Sequence, residues 1–244
     1  MRRYLIFILF LGFSFVITAQ SSFGIKVNSG ISKISTNDYP EPFGTQKTYF
    51  MPSGQAGFFY NQPVRAHEFF GVELLYNQVQ GKEKDVDTVG WYGSRNKNTA
   101  LIATNTLTRN ISYLSLPVYY GITVKKFTFK VGLQVSVTLT RTGTSVLQLP
   151  ADSMGYYSIS GATTTTTNKT NKLYVKDGAF GQTSSITYNL SPKFAIEANY
   201  YYELSNLYRN AKLNGSAQTV WKYQQITLGL RYAFLTLKKK EIKS

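Results

Sequence analysis

From Phe127 the chain runs "FTFKVGLQVSVTLT", fourteen positions in which apolar residues alternate with small or polar ones. Successive side chains of a strand point to opposite faces, so this is a two-faced β-strand, well over the usual length of about 5–6 residues. One face carries Phe127, Phe129, Val131, Leu133, Val135, Val137 and Leu139; the other carries Thr128, Lys130, Gly132, Gln134, Ser136, Thr138 and Thr140. A fold containing this strand must set an apolar medium against one face and a polar one against the other.

The same period of two predicts strands over Phe23–Ser32, Gln55–Asn61, Glu68–Gln80, Asn110–Val124, Phe127–Arg141, Ala179–Asn189, Lys193–Glu203 and Lys222–Phe234. No segment has a helical period or an internal repeat, and the Thr-rich "GATTTTTNKTNK" at 161–172 reads as a solvated loop. Long connections follow the first, third, fifth and seventh strands. Short ones, at Pro63–Ala66, Lys125–Lys126 and Leu190–Pro192, follow the second, fourth and sixth. All long loops therefore lie at one end and all tight turns at the other.

At the amino terminus Arg2 and Arg3 precede an apolar run from Leu5 to Ile17, with Ala19 as a small residue for cleavage. The run is short for a membrane helix, and residues 1–19 read as a cleaved signal peptide. The expected division is signal peptide 1–19, barrel 20–237 and a basic periplasmic tail 238–244. Without cysteine, neither a disulfide framework nor a thiolate metal site is available. An aromatic content of 15% beside a mean hydropathy of −0.19 suits a barrel with a greasy outer band and a polar inside.

Charge decides which face is inside. Lys26, Glu73, Lys130, Glu197, Glu203 and Arg231 fall on one face with Asn28, Asn77, Gln134 and Asn199; Ile25, Val27, Val72, Leu74, Leu116, Val118, Ile196, Ile226, Leu228 and Leu230 fall on the other. Ions of both signs can pair across a narrow lumen. A soluble lipocalin-like barrel would instead have to bury a greasy ligand against them. The expected fold is all-β: an eight-stranded antiparallel up-and-down transmembrane β-barrel with long extracellular loops, short periplasmic turns and both termini periplasmic. Strand eight must close on strand one, because lipid satisfies no backbone group. Eight strands leave room only for side chains, so the barrel is expected to be plugged, with Tyr119 and Tyr201 helping to fill it. Pro117 predicts a bulge or a missing ladder bond.

"SYLSLPVYYGI" (112–122), "FFGVELLYNQVQGK" (69–82), "NLSPKFAIEANYYYEL" and "ITLGLRYAF" resemble, in order and spacing over nearly the whole mature chain, the OmpA-like, PorT-like outer-membrane β-barrel family. The resemblance implies an eight-stranded barrel in a Gram-negative outer membrane. It implies no shared activity. The chain departs from many barrels in continuing past Phe234 as "LTLKKKEIKS".

Chemistry is sparse. His67, the single histidine, falls at the periplasmic mouth beside Glu68, with no partner cluster for a triad or metal site. Glu197 and Glu203 are six residues apart, roughly 20 Å along a strand, too far for a glycosidase pair; they read as counter-ions for Arg231, Lys130 and Lys26. No enzyme, cofactor or metal is expected. The net charge of +15 is scattered without a groove-reading motif, which argues against nucleic acid. Outer-membrane lipid is the expected partner, with Arg95, Lys97, Arg109, Lys169, Lys172, Arg209 and Lys212 as loop cations for lipopolysaccharide phosphates. Two roles follow: a structural component or subunit of an envelope assembly for export or motility, or a surface adhesin or ligand-binding barrel. The second would act through Trp91, Tyr92, Arg95, Tyr156, Tyr157, Tyr208, Arg209 and Trp221, on loops whose length argues for a partner.

Overall fold

The computed structural model describes residues 21–36, 44–89, 101–148, 163–168, 177–206 and 221–236. Ten strands form: β1 (Ser22–Thr36), β2 (Gly44–Tyr49), β3 (Met51–Pro63), β4 (Glu68–Val89), β5 (Leu101–Val124), β6 (Phe127–Gln148), β7 (Thr163–Asn168), β8 (Gly178–Asn189), β9 (Phe194–Glu203) and β10 (Trp221–Thr236). Eight of them close an antiparallel barrel in the order β1, β3, β4, β5, β6, β8, β9, β10, and β10 pairs back onto β1 from Ser22↔Thr236 to Thr36↔Trp221. Closure leaves no open edge within the membrane. The β5–β6 hairpin turns in two residues, with Lys125 at φ 56°, the positive φ such a turn demands.

The remaining two strands lie where loops were expected. β2 pairs with the far end of β4, from Gly44↔Asp87 to Tyr49↔Lys82. Residues 50–53 then face only 79–81 before β3 resumes at Gly54↔Gln78, so β2 continues β3 past a one-residue bulge. The Thr-rich segment, expected as a solvated loop, contains β7, which pairs with β6 from Gly143↔Asn168 to Gln148↔Thr163. Threonine suits a strand, so the run pairs although it lacks the alternation that marks the barrel wall.

β4, β5 and β6 are 22, 24 and 22 residues long, whereas about 9–11 residues cross a bilayer. Much of the expected 81–109 loop is therefore a paired ribbon standing above the membrane. The bulge expected at Pro117 lies elsewhere: Ser112 pairs with Thr140 and Tyr113 with Thr138, skipping Leu139. Pro117 shows the other expected outcome, a gap in the β4–β5 ladder between Val72↔Val118 and Leu75↔Ser115, where it has no N–H to donate.

The barrel is inside-out relative to a soluble protein. On β6 all seven outward residues from Phe127 to Leu139 are exposed, each at about half its surface, while Thr128, Lys130, Gln134 and Ser136 on the other face are buried. At the short-turn end the outer wall carries a girdle of aromatic pairs: Phe23–Phe58, Phe70–Tyr120, Phe127–Tyr188 and Phe194–Tyr232, with ring centroids 4.7–6.0 Å apart. Such girdles sit at the membrane interface.

Candidate functional site

The lumen is organised in layers along the barrel axis. In the layer nearest the periplasm, register brings five strands' charges together: Lys26 of β1 pairs with Arg231 of β10, and Glu197 of β9 pairs with Gly229 and Thr187 on either side. Lys26 Nζ donates to Glu73 Oε2 and to Glu197 Oε1, both at 2.6 Å. Lys130 Nζ donates to Glu197 Oε2, which also accepts from Arg231 Nη1 at 3.0 Å and from the Thr187 hydroxyl at 3.1 Å. Glu73 Oε1 lies 3.7 Å from Arg231 Nη2 and 3.8 Å from Lys130 Nζ. The guanidinium of Arg231 stacks over Phe59 at 3.9 Å, and the Tyr119 hydroxyl donates to Asn61 Oδ1 at 2.8 Å. Three cations thus share two carboxylates, and all five side chains are buried.

Above the charges lies a layer of neutral polar groups. Asn77 Nδ2 donates to the Ser115 hydroxyl at 2.7 Å, Ser115 and Ser136 hydroxyls are 2.8 Å apart, and Gln55 Nε2 donates to Thr227 Oγ1 at 3.1 Å. Higher still, Tyr113, Tyr223 and Tyr201 stack with centroid spacings of 5.5 and 4.6 Å and close the lumen with Ile34, Val79 and Ile111. Tyr113 and Tyr223 fill the lumen beside the expected Tyr201.

Glu203 does not join the charge layer. It lies at the extracellular end of β9, where it accepts from the Tyr201 hydroxyl at 2.9 Å, the Phe180 backbone N–H at 3.1 Å and the Ser205 hydroxyl. Arg109 is not a loop cation either: it is buried in β5 and ion-paired with Glu83 at 2.5 Å. The missed signal was parity. Counting in twos from Tyr119 through Tyr113 reaches Arg109 on the lumen face, and counting from Glu73 reaches Glu83.

Trp91, Tyr92, Arg95, Tyr156, Tyr157, Tyr208 and Arg209 lie outside the described residues, as do residues 1–20 and 237–244. Trp221 opens β10, paired with Thr36, and is a strand residue rather than a loop one. At the periplasmic mouth a cavity of about 730 Å³ lies among the short turns, with His67, Arg65 and Lys193 at its rim and Arg231 on its floor. Among the described residues no group of three His, Cys, Asp or Glu is placed to hold a metal ion. The charged lumen residues are engaged with one another, which is the chemistry of a plug.

The chain is similar in overall structure to Ail, the attachment invasion locus protein of Yersinia pestis, at 11% identity over 88% of this chain and 99% of that one, with a TM-score of 0.37. It is likewise similar to Neisserial surface protein A, at 10% identity over 88% and 99% with a TM-score of 0.38. A third similar structure is the outer membrane protein OprG of Pseudomonas aeruginosa, at 12% identity over 89% and 97% with a TM-score of 0.35. No curated protein matches the sequence. The family model described as an outer membrane protein beta-barrel domain matches residues 18–209, most of the chain and every barrel strand but the closing β10, and the chain belongs to that family.

Proposed function

We propose that this barrel is a non-enzymatic surface-binding protein of the outer membrane, which engages an extracellular ligand through the strands and loops that rise above the bilayer. The observation that carries this reading is the extension of β4, β5 and β6, with β2 and β7 paired to their far ends, as a sheet standing clear of the apolar band. A bare membrane spacer needs no such platform, and ordered backbone is costly to maintain without use. The segments 90–100, 149–162 and 207–220, with Trp91, Tyr92, Arg95, Tyr156, Tyr157, Tyr208 and Arg209, connect to that platform or its neighbours and supply aromatic and basic contacts of the kind enriched in interfaces.

Lipopolysaccharide is the membrane partner of the same surface. On the outer wall, Lys33 lies over the Phe50 ring and Lys222 over the Tyr202 ring, at 5.7 and 5.6 Å, while Lys47 and Lys84 are exposed on a cross-strand pair. Ammonium groups at this height match the phosphates of an anionic outer leaflet.

The resemblance of the strand motifs to OmpA-like and PorT-like barrels permits the other role, a subunit of an export or motility assembly. Replacing 90–100 and 149–162 by short turns separates the two. Loss of cell or ligand attachment by a barrel that still folds supports surface binding. Unchanged attachment, together with a native size in mild detergent well above one chain, favours the assembly.

A further inference from the structure

We propose that the periplasmic vestibule is a binding site for an oxyanion, a phosphate or carboxylate group presented from the periplasm, with Arg231 as its floor. The cavity of about 730 Å³ is bounded by the short turns and the lower ends of the strands. Above it stand the five-residue charge layer, the neutral polar layer and the tyrosine stack, so its described walls open only toward the periplasm. The volume lies within the range of small-molecule sites and leaves room for the rest of a ligand whose anionic end reaches the floor.

The charge inside favours an anion. Lys26, Lys130 and Arg231 share only Glu73 and Glu197, an excess of one positive charge in the network. Glu197 bonds to all three cations, whereas Glu73 accepts only from Lys26 and its Oε1 stands 3.7 Å from Arg231 Nη2, so Glu73 offsets Arg231 only through space. An uncompensated buried charge is costly, and a cleft with low-dielectric walls focuses its field toward the open end. Arg231, itself only 5% exposed, is the member of the network that lines the cavity.

The walls can complete the recognition. Ser22, Thr123 and Thr128 place hydroxyls around the cavity, and Asn61 and Asn189 each keep one amide N–H beyond those given to Ser22 and Thr128; the Thr187 hydroxyl is held by Glu197. Lys193 and Arg65 both line the rim, the charge of Arg65 being opposed by Glu68 at 3.7 Å. Among the described lining residues Glu68 is the sole carboxylate, which disfavours a divalent cation as the occupant. This inference stands apart from the extracellular role, and the two can fail separately.

The test is a titration of the full-length barrel in lipid nanodiscs, followed by the amide NMR signals of Thr128, Thr187 and Asn189. Sodium phosphate and sodium succinate are added separately, against sodium chloride at matched ionic strength. A saturable shift with phosphate, succinate or both is expected, with affinity about fivefold weaker in Lys193→Gln, an exposed turn variant. Arg231→Met, checked for folding by its gel mobility before heating, removes the surplus charge and should abolish saturation. Saturation by phosphate alone assigns a phosphate ligand, and by succinate alone a carboxylate. No saturable shift beyond the chloride control, or one indifferent to both substitutions, overturns the site.

Discussion

Arg109 Nη1 lies 2.5 Å from Glu83 Oε2, and both side chains are 2% exposed. The pair sits in the ribbon that β4 and β5 raise above the membrane, diagonal and two register positions apart, since Arg109 is paired with Gly81 and Glu83 with Leu107. Removing one partner of a buried ion pair strands the other. Arg109→Met alone is expected to lower the stability of the detergent-solubilised protein by about 3–5 kcal/mol, and Glu83→Gln/Arg109→Met to recover much of it. Melting followed by the gel shift of the unheated barrel reads both. A single variant that melts with the parent would place the pair outside the cooperative fold.

Within the lumen Glu197 is the more critical carboxylate, because Lys26, Lys130 and Arg231 all bond to it. Glu197→Gln removes one of two negative charges opposing three positive ones and is expected to cost about 3–5 kcal/mol. Glu203→Gln keeps an oxygen to accept from the Phe180 N–H, Tyr201 and Ser205, and should cost about 1 kcal/mol. Equal losses in chemical unfolding of the two variants would remove Glu197 as the hub.

Alternation made the barrel wall legible, and the tight turns fixed the periplasmic ends: Glu68, Val124, Phe127 and Asn189 end strands where expected. The extracellular ends escaped for a physical reason. Beyond the apolar band a strand has no need of an apolar face, so paired backbone such as "LIATNTLTRN" and "TTTTTN" carries the composition of a loop. Glu203 shows a second limit. Parity places a side chain on the lumen face, but its height along the axis depends on the stagger of neighbouring strands. The register opposes Glu203 to Gly181 and Glu197 to Thr187, one in each layer. Periodicity carries no record of stagger, whereas the parity that leads to Arg109 and Glu83 was available in the chain.

The stacked lumen also sets the transport behaviour. Tyr113, Tyr201 and Tyr223 are essentially inaccessible, and the charge layer closes the same passage below them. Planar-bilayer recordings should show no stable open-channel steps. Tyr113→Ala/Tyr201→Ala/Tyr223→Ala should still lack them, because Glu197 and its three cations block the path independently. Well-resolved steps from the parent barrel would mean that the layers part in the membrane.

Depth along β6 supplies the last test. From Phe127, paired in the aromatic girdle with Tyr188, to Leu139, the outward residues span twelve steps of about 3.3 Å, which at a tilt near 40° rise roughly 30 Å. Leu133 is the midpoint of that run and belongs near the bilayer centre; Leu139 belongs at its extracellular margin. An arginine at the centre must drag water or headgroups inward, whereas one at the margin reaches the interface by extending. Leu133→Arg should therefore destabilise the barrel in liposomes by about 2–4 kcal/mol and Leu139→Arg by about 0–1 kcal/mol, measured by guanidinium unfolding. The reverse order would shift the membrane along the barrel and lower the sheet formed by β2, β4, β5, β6 and β7 toward the lipid. Equal, small costs would deny that this face meets hydrocarbon at all.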